Sequence, residues 1–172
     1  MKNLSYIINL NKHPLENLKY IAKCKKKIKN NSILILNNFL TEECLNELIF
    51  EALNLEKKAF YCSQNHTILL NKYDDKIDKE DPLNIEVKSD KGCVPHDMLG
   101  KNSQLNILYN SPIFKNFLKE VLNLKYLLPY YDKLSSINYN YYQNNQQLGW
   151  HFDNASFAIT LMIQSSNFGG EF

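Results

Sequence analysis

The chain has 172 residues, 44% of them apolar, which is about one domain's length and enough to bury a real core. Its 20 basic residues are all Lys and are nearly balanced by 18 acidic ones. A net charge of +2 therefore leaves no electrostatic footprint for nucleic acid. No apolar run approaches the ~18–20 residues of a membrane span, and no apolar leader core follows Met1. Cys24, Cys44, Cys62 and Cys93 lie too far apart for a C-x-x-C zinc or redox motif, so reduced thiols in a cytoplasmic protein are the expectation.

Pro14 suits the first turn of a helix, and Leu15, Leu18, Ile21, Ala22 and Ile28 recur at helical spacing until Asn30-Asn31-Ser32 ends it. The Lys-rich run from Lys23 to Lys29 within it reads as a solvated face. Ile33 to Leu36 is an apolar run short enough for a buried strand. Thr41 then caps a second helix, with Glu42 and Glu43 in its first turn and a buried stripe of Leu45, Leu48, Ile49, Ala52 and Leu53. Phe60 to Leu70 reads as a strand. From Asn71 to Pro82, five acidic and three basic side chains in twelve residues make a surface loop. Ser111-Pro112 is another cap followed by proline, opening a helix whose stripe is Ile113, Phe114, Phe117, Leu118, Val121 and Leu122. That helix is expected to lie against the sheet that follows.

Beyond residue 133 the character changes. Leu134 to Tyr142 is rich in β-formers, Gln147 to Asp153 is a second extended run, and Phe157 to Gln164 is a strong strand pattern. Gly169-Gly170 permits a bend before Glu171-Phe172 begins another strand. Helices first and strands later predict an α+β fold: a helix-rich region over 1–132, then over 133–172 the start of a sheet heading toward a barrel or jelly roll.

Chemistry concentrates at His151-Phe152-Asp153. A His and an Asp two apart on an extended segment point to one face. They form two-thirds of the 2-His-1-carboxylate facial triad of non-haem Fe(II) oxygenases, in which the opposite face of the metal stays open for a co-substrate and O₂. His66 and His96 have no partner at metal-ligand spacing and read as satisfied structural histidines.

The stretches Gln147-Leu148-Gly149-Trp150-His151-Phe152-Asp153-Asn154, Phe157-Ala158-Ile159-Thr160-Leu161-Met162-Ile163-Gln164 and Gly169-Gly170-Glu171-Phe172 resemble the iron/2-oxoglutarate-dependent dioxygenase superfamily. The likeness is to the bacterial branch of free-amino-acid hydroxylases and their halogenase relatives. Glu86-Val87-Lys88-Ser89, Asp97-Met98-Leu99, the helix from Ser111 and Ser136-Ile137-Asn138-Tyr139 follow that branch's order, so residues 35–172 are covered and 136–172 carry the specific part. The resemblance implies a double-stranded β-helix (jelly roll) preceded by helices. It also implies Fe(II), 2-oxoglutarate as co-substrate and O₂, with hydroxylation of an unactivated C–H of a small amino-acid-like substrate. Halogenating relatives have Gly or Ala where this chain has Asp153, which favours hydroxylation.

Further site residues are expected around the pair. Asn138 and Tyr142 share strand parity and are candidates to bind 2-oxoglutarate, with ordinary strand packing as the alternative. Trp150 and Asn154 are candidates to touch substrate; a core aromatic and a turn cap are their alternatives. The family's distal His and its Arg clamp for 2-oxoglutarate have no counterpart here, since no His follows His151 and the chain has no Arg. The expectation is an N-terminal fragment, truncated before the roll closes, inactive alone and partnered by the missing C-terminal half of the same protein. A non-catalytic cupin-like binding or scaffold module is the competing reading. A metal-dependent hydrolase, which typically carries more His and carboxylate clusters, is a further one.

Overall fold

The computed structural model describes residues 3–130, 132 and 134–170, so the strand start expected at Glu171-Phe172 lies outside the described residues. The chain forms two compact units that interleave in sequence. One comprises Met1–Ala52 with Pro95–Asn138, the other Leu53–Val94 with Tyr139–Phe172. Helix and sheet are both present, and among the described residues no helix is long and apolar enough to cross a membrane.

The first unit is helical. A single turn α1 (Leu4–Ile7) precedes α2 (Leu18–Asn31). Helix α2 starts later than Pro14 because the Asn17 side chain accepts from Tyr20 N–H at 3.1 Å and is the working N-cap. It ends where Ser32 turns left-handed at φ 58° and its N–H closes on Ile28 O. Helix α3 (Glu42–Glu56) begins as expected, with Thr41 Oγ1 accepting from Cys44 N–H. Ile33 to Leu36, by contrast, forms no strand, and Ile33 and Ile35 are exposed. Among the described residues no strand takes up its backbone; an isolated bridge, Ile8 to Leu40, is a β pairing nearby.

Later in this unit, α4 (Gln104–Asn110) and α5 (Pro112–Val121) are capped by Ser103 and Ser111. Helix α5 packs on α2 and α4. Its buried Phe117 stacks on Tyr20 with ring centroids 6.0 Å apart, and Phe39 tilts against Phe114. Around these rings Ile7, Ile8, Leu15, Leu48 and Val121 are buried.

The second unit is built on a hairpin. Strand β1 (Phe60–Thr67) pairs antiparallel with β2 (Glu86–Pro95), Phe60 opposite Cys93 and Thr67 opposite Glu86. Strand β3 (Asn138–Tyr141) joins the other edge of β2, so the sheet runs β1-β2-β3 and is not closed. The connection from β1 to β2 winds around Asn84, a buried amide that donates to Asp74 O and Ile77 O and accepts from Asp74 N–H. The segment 157–164 forms no strand: its apolar run, broken only by Thr160, finds no partner strand among the described residues, and Ile159 and Met162 stay exposed.

Candidate functional site

The His151 segment is seated on the hairpin by backbone bonds at several points. Gln147 O accepts from Asp90 N–H at 2.8 Å, while Gln147 N–H donates to Asp90 Oδ1 at 2.7 Å. Gly149 N–H donates to Ser89 Oγ at 2.9 Å, and Phe152 N–H to Ile68 O at 2.8 Å. These anchors hold residues 147–152 against the hairpin without making them part of the ladder. Asp90 is itself fixed by Lys88, whose ammonium lies 2.7 Å from Oδ2. That contact, followed by the Gln147 N–H, pulls the Asp90 carboxyl below the usual carboxylate range.

The two expected ligands lie close together. His151 Nε2 lies 3.3 Å from Asp153 Oδ1. His151 Nδ1 lies 2.7 Å from the Gly149 carbonyl, which only accepts, so a proton on Nδ1 completes that bond, and the Nδ1–H tautomer would offer a lone pair at Nε2. In that tautomer two acceptors face each other, an arrangement satisfied by a proton on Nε2 or by a cation between them. The donor set fits a metal: cis ligands about 2.1 Å from one ion lie about 3 Å apart. A metal-bound His also typically donates its other ring N–H to a carbonyl, as His151 does here. The imidazole is largely covered while the carboxylate is half exposed, so the pair is open to solvent on the Asp153 side. Among the described residues, no group of three His, Cys, Asp or Glu side chains is placed to hold a metal ion.

The other expected site residues are more dispersed. Asn138 is exposed on β3, whose buried position is Tyr139; Tyr142, just past the strand, is about half exposed. Burial raises the Tyr142 phenol, with Cys93 as a secondary cause. Trp150 is 87% exposed, so it is not a core aromatic, and Asn154 is exposed in a bend. A hollow of about 270 Å³ lies elsewhere in this unit, lined by Thr67, Leu69, Lys72, Asp74 and Asn84 rather than by the pair.

His96 is held at both nitrogens, by Ser136 Oγ and Asn106 Oδ1. His66 is also satisfied at both, by Thr67 O and Ser89 Oγ, yet its ring meets that of His151. Sequence reasoning does not find the neighbours His66 and Ser89, which lie on other strands. Gly149 carries a weak signal, since a glycine within a β-rich run often marks close backbone approach. The chain matches none of the protein-family models, curated proteins or solved structures with which it was compared.

Proposed function

We propose that this chain carries two of the three protein ligands, His151 and Asp153, of the iron site of a 2-oxoglutarate-dependent dioxygenase that hydroxylates a small amino-acid-like substrate. The observation that carries this reading is the facing of His151 Nε2 and Asp153 Oδ1 at 3.3 Å, with the opposite ring nitrogen tied to a carbonyl. The resemblance of residues 136–172 to that superfamily, of which this pair is a part, is in keeping with it. Fe(II), with 2-oxoglutarate and O₂, supplies the oxidising power for C–H hydroxylation. The chain's own part is to present an imidazole nitrogen and a carboxylate oxygen on one side of the ion, one ligand covered and the other open.

The test is an anaerobic titration with Co(II), an optically visible substitute for Fe(II), read by its d–d absorption. The wild-type chain is expected to bind through both ligands, and His151→Ala and Asp153→Ala each to weaken binding about tenfold or more. Binding unaltered by either substitution overturns the proposal.

A further inference from the structure

Ser89 sits within β2, almost fully buried, with its hydroxyl between two segments far apart in sequence. His66 Nδ1 faces the Thr67 carbonyl at 2.8 Å and therefore holds that ring's proton, which leaves Nε2 to accept from Ser89 Oγ–H at 2.6 Å. The same oxygen accepts the Gly149 N–H. On the other side of the Gly149 Cα, the carbonyl accepts from His151 Nδ1–H.

We infer that Ser89 is a positioning residue for His151: backed by His66, its hydroxyl fixes Gly149, whose carbonyl holds the imidazole as the Nδ1–H tautomer with Nε2 turned toward Asp153. Steric fit adds a second constraint. A Cβ on Gly149 would stand 2.7 Å from Val87 Cγ2 and 2.8 Å from the Lys88 carbonyl oxygen, so only glycine lets this segment approach β2 so closely. The anchors at Gln147 and Phe152 bracket the same point. The tautomer matters because neutral histidine in water favours Nε2–H, which would present a proton where a metal ligand must present a lone pair. The purpose of this arrangement rests on the metal reading above, but the arrangement itself does not need the metal.

The experiment is long-range ¹H–¹⁵N correlation on metal-free, ¹⁵N-histidine-labelled protein, at a pH where the imidazoles are neutral. His151 is expected mainly as Nδ1–H in the wild type. It should shift toward Nε2–H in Ser89→Ala and keep the wild-type pattern in Ser89→Thr, which restores the hydroxyl. The Cys62–Lys91 cross-strand contact serves as the control for an intact hairpin. Should Ser89→Ala lose the hairpin, Gly149→Ala carries the test, since it leaves Ser89 and His66 in place and is expected to give the same tautomer shift. An Nε2–H tautomer in the wild type, or an unchanged His151 in the variant with an intact hairpin, overturns the inference.

Co(II) titration of the same samples separates the two readings. Ser89→Ala should bind about tenfold more weakly than wild type. If the wild type shows the Ser89-dependent tautomer and takes up no metal, the metal reading fails and the role of Ser89 in orienting the ring stands. Metal uptake with a tautomer indifferent to Ser89→Ala overturns the positioning role alone.

Discussion

His66 and His151 meet edge to face, with ring centroids 5.8 Å apart and planes at 86°. Both nitrogens of His66 are already bonded, so it meets His151 as a packing surface rather than as a second ligand. His66→Ala leaves the Ser89 hydroxyl without its acceptor and opens a void beside His151. A loss of about 1–3 kcal/mol is expected. It should appear as a lower urea midpoint at unchanged m-value, together with shifted His151 ring protons. An unmoved midpoint would show that this buried ring contributes nothing to stability.

Asp90 links acidity to the seat of His151. Lys88, and after it the Gln147 N–H, holds the Asp90 carboxyl below the ordinary value of about 3.9. A depressed native pKa contributes stability that is present above the unfolded value and lost as pH falls through the native one. Below about pH 4, the Gln147 and Gly149 amides are therefore expected to lose hydrogen-exchange protection before those of the β1–β2 ladder. Asp90→Asn keeps an acceptor for Gln147 but removes the titrating group, and should flatten this dependence. Simultaneous loss of protection in both regions would contradict the assignment.

Asn84 organises the long connection between β1 and β2. Its amide is 2% exposed and bonds the backbone of Asp74 and Ile77 from inside the loop. Asn84→Ala strands those groups at a local cost of about 1–3 kcal/mol. The loop contains Lys72, Lys76 and Lys79, so limited trypsinolysis should cut it about tenfold faster in the variant. Equal cleavage rates would mean that the loop is held by something other than this amide.

What local sequence can reveal ends where pairing begins. Helices α3 and α5 announce themselves through Thr41 and Ser111-Pro112, because capping is decided within four residues. Strand β1 is legible at its start, but it ends at Thr67 rather than Leu70, because Leu70 turns left-handed and its N–H closes on Thr67 O. Strand β2 is not legible: Glu86, Lys88, Asp90 and Lys91 interrupt any apolar alternation, and its buried positions include Ser89 and Asp90. The apolar runs at 33–36 and 157–164 show the converse, since a hydrophobic run becomes a strand only when another strand supplies its hydrogen bonds. The same divide applies to the site. His151 and Asp153 are two apart, close enough in sequence for one local conformation to bring them together, whereas Ser89 reaches Gly149 across 60 residues.

The pairing of β1 with β2 has a consequence for how damage reaches His151. Ser89 lies opposite Gln64 and Val87 opposite His66, which places His66 diagonally across from Ser89 on one face of the hairpin. A slip of one residue in that pairing turns Ser89 to the other face, away from both His66 and Gly149. Substitutions in Phe60–Thr67 or Glu86–Pro95 that favour a shifted alignment can therefore disorient His151 while every residue near it in sequence stays unchanged. Misalignment of a hairpin made more than fifty residues upstream would look, in a functional assay, like loss of the ligand itself.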